Sequence, residues 1–266
     1  MSTSEESTIG SGAQGAPAGD GALLSLRGIS KAFGPVRALM DVDLDVSAGQ
    51  VTALIGDNGA GKSSLIKTVS GLWAQDSGQI IWEGREVQLH NPRDSEALGI
   101  TTIYQDLALC ENLDIVQNMF LGHELMRGIT LDEASMEIRA RETLSDLHVV
   151  TVRSIRQLVA SLSGGQRQSV AVAKAVLANA KLVIMDEPTA ALGVAQTEMV
   201  LALIKRLASR GVAVLVISHN LNDVFEVADR IAVLYLGRLV IEGPAADFDT
   251  QSAVEYMTTG TVARAA

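Results

Sequence analysis

A glycine-rich segment at residues 56–63, Gly-Asp-Asn-Gly-Ala-Gly-Lys-Ser, constrains the fold of this chain more than any other feature. It has the spacing of a phosphate-binding loop, in which a glycine and four further residues precede Gly-Lys-Ser/Thr. The apolar run at residues 51–55 precedes it, and an apolar-faced segment at residues 62–70 follows it. A plain structural turn is the alternative, but the order of strand, glycine loop and helix favours a phosphate-binding loop in an α/β fold.

The residue types in this loop suit a nucleoside triphosphate. Backbone N–H groups can surround a phosphate only where no Cβ atoms intrude, which explains the glycines. A helix that begins near Gly61 directs its positive dipole end at the same phosphates. Lys62 adds a full positive charge on the β and γ oxygens, and Ser63 offers a hydroxyl to Mg²⁺. The residues predicted to bind the nucleotide here are Gly56, Asp57, Asn58, Gly59, Ala60, Gly61, Lys62, Ser63 and Ser64.

The apolar pattern along the chain predicts how this loop is embedded. The predicted strands are residues 23–26, 42–46, 51–55, 80–82, 86–89, 182–185, 213–217 and 231–235, and the predicted helices are residues 62–70, 169–178, 196–210 and 220–228. Strands that alternate with helices imply a mostly parallel sheet. We expect an α/β P-loop NTPase with a RecA-like, mostly parallel sheet core and an antiparallel β subdomain. A helical subdomain is predicted at about residues 92–160.

The expected domain organisation has three parts. Residues 1–22 consist mainly of Ser, Gly, Ala and Glu and are predicted to be a flexible tail, without a signal peptide. Residues 23–245 form the ATPase domain, and residues 246–266 form a C-terminal extension. No internal repeat is visible, which indicates one nucleotide-binding unit rather than a fused pair.

Two carboxylates follow the apolar run at residues 182–185. Asp186 and Glu187 are expected at the carboxyl-terminal edge of a strand, where ligands bind in open α/β sheets. Asp186 can hold Mg²⁺ directly or through water, and Glu187 can polarise a water for attack on the γ-phosphate. Strands often end in an acid, so this signal gains its meaning from the phosphate-binding loop before it.

Residues 162–166, Leu-Ser-Gly-Gly-Gln, stand before the helix predicted at residues 169–178. By itself this string is a helix N-cap with a flexible lead-in. It is also the signature of ATP-binding cassette (ABC) proteins, and the chain resembles this family from about residue 24 to residue 260. A helix N-terminus with two glycines forms a second anion site, which fits the ATP of another subunit. The signature residues are Ser163, Gly164, Gly165 and Gln166.

The resemblance implies roles for three further residues. Phe33 matches an aromatic side chain that stacks on adenine, although it could instead be a core residue. Gln105 matches a glutamine that reaches Mg²⁺ and the attacking water. His219 matches a switch histidine that hydrogen-bonds the γ-phosphate, whereas a lone histidine is more often structural. The resemblance thus implies ATP and Mg²⁺ as cofactors, with Lys62, Gln105, Glu187 and His219 as catalytic residues and Ser63, Gln105 and Asp186 as metal ligands.

One position departs from the family. After residues 187–189, Glu-Pro-Thr, the family usually continues Ser-Ala-Leu-Asp, whereas this chain continues Ala-Ala-Leu-Gly. Gly193 therefore replaces an aspartate that normally helps to link the two ATP sites. Residues 187–194, together with 104–109, 118–122 and 218–229, resemble the monosaccharide-import branch of bacterial ABC transporters. That branch includes ribose, xylose, galactose and fructose importers, and this chain resembles its single-cassette members.

The composition limits the other classes of function. The formal net charge is −10 and the sequence pI is about 4.9, which argues against nucleic acid as the main partner. A single cysteine, Cys110, argues against zinc ribbons, iron–sulfur clusters and disulfide scaffolds. No apolar run approaches the roughly 18 residues of a membrane-spanning helix, so any membrane role is expected to act through a partner.

The resemblance implies a function and a set of partners. We expect an ATPase of the translocase class that drives import of a monosaccharide through membrane permease subunits, with an external sugar-binding protein. The expected location is the cytoplasmic face of the cell membrane. Another copy of the same chain is a further expected partner. The alternatives are the ATPase of an ABC exporter and an ABC ATPase that drives no transport. A plain P-loop GTPase or kinase would not carry the signature string.

Overall fold

The computed structural model describes residues 21–149, 152 and 154–261, so nearly all of the predicted flexible tail, residues 1–22, lies outside the described residues. The strands are β1 Ala22–Phe33, β2 Val36–Ser47, β3 Val51–Ile55, β4 Ser77–Trp82, β5 Arg85–Val87, β6 Ile100–Ile103, β7 Met126–Arg127, β8 Thr130–Leu131, β9 Leu182–Asp186, β10 Ala213–Ile217, β11 Arg230–Tyr235 and β12 Arg238–Pro244. The helices are α1 Lys62–Val69, α2 Pro92–Leu98, α3 Ile115–Phe120, α4 Glu133–Asp146, α5 Gly164–Leu177, α6 Val194–Ser209, α7 Leu221–Val227 and α8 Thr250–Thr259.

A six-stranded sheet forms the centre of the molecule. Its strand order is β12-β11-β3-β10-β9-β6, and all neighbours are parallel except the terminal pair β11 and β12. Every residue of β3 and β10 is buried, as expected for strands that are covered on both faces. This arrangement confirms the predicted α/β class with a mostly parallel core.

The two faces of this sheet pack against different layers. Leu182 and Ile184 of β9 belong to a cluster with α1 and the antiparallel strands β1, β2 and β4. Val183 and Met185 point to the opposite face and join a cluster with helices α3 to α6. Because successive side chains of a strand alternate in direction, each residue of this short run is buried against one layer or the other.

The second sheet is antiparallel, with strand order β2-β1-β4-β5. Its β1 and β2 contain the two alternating segments that were predicted as half-buried strands, and Gly34 lies in the turn between them. Acidic side chains of β2 accept hydrogen bonds from residues of β1. For example, Asp43 accepts the backbone N–H of Gly28, and Asp45 accepts a hydrogen bond from Ser25 and pairs with Arg27.

The segment predicted to be mainly helical, residues 92–160, differs from that expectation in two structural respects. It contains α2, α3 and α4, but β6 lies between α2 and α3 and joins the central sheet beside β9. The sequence of β6 is Ile-Thr-Thr-Ile, four β-branched residues that favour a strand. The region also contains the small β7–β8 hairpin. The short length of these strands explains why helical periodicity in the surrounding sequence obscured them.

The sequence did not predict two further elements, and it placed the start of a third too late. The strand β12 and the helix α8 follow the last predicted strand, and α8 packs on β11. Helix α5 begins at Gly164, five residues before its predicted start, because Ser163 caps it. The side-chain hydroxyl of Ser163 accepts the N–H of Gln166, and the Gln166 side chain accepts the N–H of Ser163.

Candidate active site

The predicted chemical groups lie at one edge of the central sheet. Four neighbouring parallel strands, β3, β10, β9 and β6, all end at this edge. The glycine-rich loop follows β3, His219 follows β10 after one residue, Asp186 ends β9 and Gln105 follows β6 after one residue. Ile217 pairs with Leu54 on one side and with Asp186 on the other. The strands β3, β10 and β9 therefore end at about the same level of the sheet, and the segments that follow them start side by side. The strand order brings together groups that are far apart in sequence.

The backbone of the glycine-rich loop runs in close contact with its surroundings. A Cβ atom on Gly56, which has φ 158°, would lie 2.3 Å from the carbonyl oxygen of Leu234. A Cβ atom on Gly61, which has φ 108°, would lie 2.5 Å from the carbonyl oxygen of Ala38. Both positions therefore require glycine for packing as well as for the approach of a phosphate. The sequence predicted only the second of these reasons.

Lys62 lies buried at the first position of α1. Its ammonium group donates to the carbonyl oxygens of Gly56, at 2.7 Å, and Asp57, at 3.0 Å. Burial lowers the pKa of Lys62, while the nearby carboxylates of Glu187, Asp186 and Asp57 act in the opposite direction. The loop thus holds a desolvated cation against its own carbonyl groups, at the point where a phosphate would be bound.

The two carboxylates of the site have different environments. Burial raises the pKa of Asp186, and the adjacent charge of Glu187 raises it further, whereas Lys62 and Lys67 lower it. The backbone of Glu187 has φ 51°, a left-handed conformation that costs a non-glycine residue about 1–3 kcal/mol. Its N–H donates to the carbonyl oxygen of Ile217 on the neighbouring strand, at 2.9 Å. The backbone of Glu187 is therefore tied to the end of β10 at this edge of the sheet.

The donor set at this edge fits Mg²⁺. Burial and, after it, the adjacent charge of Glu187 raise the pKa of Asp186, and a bound cation would stabilise the ionised carboxylate. Ser63 and Gln105 add a hydroxyl and an amide oxygen, which are hard ligands of the kind that Mg²⁺ prefers. Within the described residues, no group of three or more His, Cys, Asp or Glu side chains could hold a metal alone. Such a set suits a Mg²⁺ ion whose other ligands come from phosphate and water.

His219 and Glu187 are in direct contact. Nδ1 of His219 lies 2.8 Å from Oε1 of Glu187, although the two residues are 32 positions apart in sequence. The His219 side chain is 68% exposed and that of Glu187 is 17% exposed, so the pair lies at the mouth of the site. The sequence predicted a role for each residue but not this hydrogen bond.

Phe33 and Gln105 both lie at the surface. Phe33 is 40% exposed at the end of β1, which contradicts the alternative that it is a core residue. Its ring contacts the ring of Trp73, a residue that the sequence did not single out. Gln105 is exposed, and the preceding Tyr104 donates its hydroxyl to Ser70 at the end of α1, at 3.1 Å.

The signature string lies at the start of α5, on the helical side of the sheet. A Cβ atom on Gly164 would lie 2.7 Å from the side chain of Leu192, and one on Gly165 would lie 3.1 Å from the side chain of Gln196. The two glycines therefore allow α5 to pack closely against α6 and the loop that precedes it. A side chain at Gly193 would meet no atom within 4 Å, so packing does not require the glycine that replaces aspartate there.

The loop that leads into the signature is bonded to the segment that follows Gln105. Arg167 donates to the carboxylate of Glu111 at 2.7 Å and to the carbonyl oxygen of Ala160 at 3.0 Å. Arg156 donates to Asp114, the N-cap of α3, at 3.1 Å. The buried side chain of Asn118 bonds the backbone of this segment. Apart from Asn118, which lies in a string that resembles the monosaccharide-import branch, these residues carried no recognisable signal in the sequence, because each acts through a contact that only the fold creates.

Comparison with known proteins identifies the class of this chain. The family model for ABC transporters matches residues 39–190. The chain is 48% identical to the fructose import ATP-binding protein FrcA of Rhizobium meliloti, over 89% of this chain and 94% of that protein. It is 44% identical to the xylose/arabinose import ATP-binding protein XylG of Sulfolobus acidocaldarius, with the same coverage. The ribose import ATP-binding protein RbsA of Caldanaerobacter subterraneus is 39% identical, and the match covers 47% of its length.

Solved structures agree with this class. MJ1267, an ATP-binding cassette of an ABC transporter, matches with a TM-score of 0.79 and 25% identity, over 90% of this chain and 98% of that one. MJ0796, bound to ADP and phosphate in a dimeric post-hydrolysis state, matches with a TM-score of 0.69 and 25% identity, over 84% and 98%. The chain therefore belongs to the ABC transporter family. It is an ATP-binding ATPase subunit of that family, and no helix in its described part is long and apolar enough to cross a membrane.

Replacement of Lys62 tests the role of the glycine-rich loop. Lys62→Ala removes the buried cation, and a charge-assisted contact to phosphate of this kind contributes about 1.5–3 kcal/mol. We expect the affinity for MgATP to fall by roughly tenfold or more and hydrolysis to be lost. Calorimetric titration and phosphate release measure the two effects.

Lys205→Ala is the matched control, because it removes a cation that only pairs with Glu226 on the surface. This variant should bind and hydrolyse ATP as the parent does. ATPase activity that survives in Lys62→Ala would contradict the assignment of the loop.

Proposed function

We propose that this chain is the ATP-hydrolysing subunit of an importer that takes up a monosaccharide through a membrane permease. The observation that carries the proposal is the meeting of the glycine-rich loop, the Asp186–Glu187 carboxylates and His219 at one sheet edge, in a chain that matches sugar-import ATP-binding proteins over nearly their whole length. The same chain spans about half of the ribose protein. We propose that this cassette pairs with a second copy of the chain.

The pairing is proposed to be head to tail. Within the chain, the glycine-rich loop follows β3 and the signature begins α5, and the two belong to different layers of the fold. In the dimer, the loop of one copy and residues 163–166 of the other would enclose one ATP. The N-terminus of α5 supplies N–H groups and a positive dipole end to the γ-phosphate. Both sites are then completed only when two chains meet.

Each group at the sheet edge has a proposed task. Lys62 and the loop N–H groups hold the β and γ phosphates, and Phe33 stacks on the adenine ring. Ser63, Asp186 and Gln105 hold Mg²⁺, which would neutralise charge on the phosphate oxygens. Glu187 accepts a proton from the water that attacks the γ-phosphate.

The contact between His219 and Glu187 supports a linked role for the two residues. A doubly protonated imidazole can donate from Nδ1 to the Glu187 carboxylate and from Nε2 to the γ-phosphate. ADP offers no γ-phosphate, so the second bond distinguishes the ATP-bound state from the ADP-bound state. A ligand shifts a conformational equilibrium only through such differential contacts. His219 would therefore report the presence of the γ-phosphate to the dimer interface.

A groove beside the Gln105 segment is the proposed docking site for the permease. A cavity of about 420 Å³ lies between this segment, α3 and α5, with Leu107, Met119 and Phe120 among its apolar lining. The side chains of His123, Arg139 and Lys174 also line it, together with one acidic side chain, Glu96, so basic groups are in the majority. This surface suits an amphipathic cytoplasmic helix that carries acidic residues. ATP binding would move Gln105, and residues 106–122 would transmit this movement to the groove.

The proposed location and the proposed external partner depend on the permease. The chain would lie on the cytoplasmic face of the membrane through the permease alone, and an external sugar-binding protein would deliver the substrate. Residues 23–245 would act as the ATPase unit, with a helical subdomain at about residues 92–160 and a C-terminal extension at residues 246–266. Nucleic acid is not a proposed partner, in agreement with the net charge of −10.

Two substitutions separate chemistry from switching. Glu187→Gln keeps the size of the side chain but removes the general base, which contributes about 10²–10⁴-fold in rate. We expect this variant to bind ATP and to accumulate as a closed dimer without turnover. His219→Ala should dimerise poorly even with ATP, because the contact to the γ-phosphate is lost.

Light scattering and phosphate release on both proteins, with and without ATP, measure these effects. Both variants should also fail to support sugar uptake in vesicles that contain the permease. Normal dimerisation and near-parental hydrolysis by His219→Ala would show that His219 is structural.

Cysteine crosslinking tests the proposed groove. In a Cys110→Ser background, a cysteine at Leu107 should crosslink to the cytoplasmic loops of the permease, because Leu107 lines the cavity. A cysteine at Val254, which is 45% exposed on α8, is the control and should not react. Mass spectrometry of the crosslinked vesicles identifies the partner peptides. Crosslinks from position 254 or from residues 1–22, without any from position 107, would contradict the docking site.

A further inference from the structure

A second aromatic side chain lies against Phe33. The ring of Trp73 contacts the ring of Phe33 edge to face, with the centroids 4.6 Å apart and the planes at 65°. Trp73 lies in the loop that follows α1 and is half-buried, whereas Phe33 keeps 40% of its surface exposed. Edge-to-face contact is a favourable arrangement for two aromatic rings. It leaves part of the Phe33 ring open to another ligand.

Trp73 is tied to the helix that begins at the phosphate-binding loop. Its backbone N–H donates to the carbonyl oxygen of Lys67 at 3.0 Å, and Lys67 lies on α1, which begins at Lys62. The ammonium group of Lys67 also lies 4.5 Å from the centroid of the Trp73 ring, within the range of a cation–π interaction. The position of the indole ring is therefore fixed relative to the phosphate site.

The strand that carries Phe33 is bonded to the same loop. Asp76 accepts from the ammonium group of Lys31 and from the backbone N–H of Ala32, each at 2.7 Å. The N–H of Asp76 donates in turn to the carbonyl oxygen of Ser30 at 2.9 Å. The end of β1 and the loop of Trp73 thus form one bonded unit, and the two rings meet on it.

We propose that Trp73 is a second aromatic residue of the base-binding site, a positioning residue that holds the Phe33 ring for stacking on adenine. The inference rests on the proposed role of Phe33. An unsupported ring at a strand end would have to be ordered when the base binds, and ordering a side chain reduces affinity. Contact with Trp73 orders the ring in advance. The ligand is the purine ring of the nucleotide, and the phosphates are held independently by the loop at Lys62.

The test compares ligands with and without the base. We expect Trp73→Leu to weaken MgATP binding by about three- to tenfold, since an aromatic pair contributes on this scale. Binding of inorganic tripolyphosphate, which has the phosphates but no base, should not change. Trp73→Phe should restore most of the ATP affinity, and Leu72→Ala, at the exposed neighbouring position, should leave both affinities unchanged. Calorimetric titration measures each affinity.

Fluorescence gives an independent signal. The chain has two tryptophans, and Trp82 is only 3% exposed in β4, so Trp82→Phe leaves Trp73 as the sole indole emitter. In this background, emission should change on titration with MgATP and not with tripolyphosphate. Absence of any change with ATP would contradict contact between the ring pair and the base.

The outcomes distinguish the inference from the function on which it rests. If Phe33→Leu weakens ATP binding and Trp73→Leu does not, the inference about Trp73 is wrong and the base site at Phe33 stands. If neither variant affects ATP binding while Lys62→Ala abolishes it, the base site lies elsewhere and the inference also fails. Equal loss of ATP and tripolyphosphate binding in Trp73→Leu would show a general structural role, which likewise overturns the proposal.

Discussion

The structure of the active site depends on the close approach of one loop backbone to the chain around it. Side chains at Gly56 and Gly61 would collide with the carbonyl oxygens of Leu234 and Ala38, so the loop can pass over the sheet edge only as bare backbone. This packing sets the path of the loop backbone and places Lys62 at the start of α1. A loop whose path is already set by packing costs less to order when an anion binds.

The parallel sheet explains how the other groups reach this anion site. Neighbouring parallel strands end at the same edge, so Asp186, Gln105 and His219 reach the edge that carries the loop from strands that are distant in sequence. The signature, whose glycines pack on α6 and Leu192, presents a second helix N-terminus from the opposite layer of the fold. In the proposed head-to-tail dimer, each copy would supply its signature to the ATP site of the other, so the motor would require a pair.

The sequence predicted those parts of the structure that are encoded locally. The glycine-rich loop, the buried strand before Asp186 and the signature were recognisable because each needs a fixed spacing of residue types. The strand β6 was missed because Ile-Thr-Thr-Ile is short and lies among helices. The Glu187–His219 bond and the Phe33–Trp73 contact were missed for a different reason. Both join residues whose proximity depends on strand order and loop packing, and neither leaves a periodic signal in the sequence.

Complementation between two inactive variants tests most directly whether the ATP site is shared between chains. Lys62→Ala damages the loop, whereas Ser163→Asp places a negative charge at the signature and preserves a helix-capping side chain. In a mixed head-to-tail dimer, one ATP site contains both substitutions and the other contains neither. The account predicts that phosphate release by the mixture clearly exceeds that of either variant alone at the same total concentration. A mixture no more active than its two components would contradict a site built from two chains.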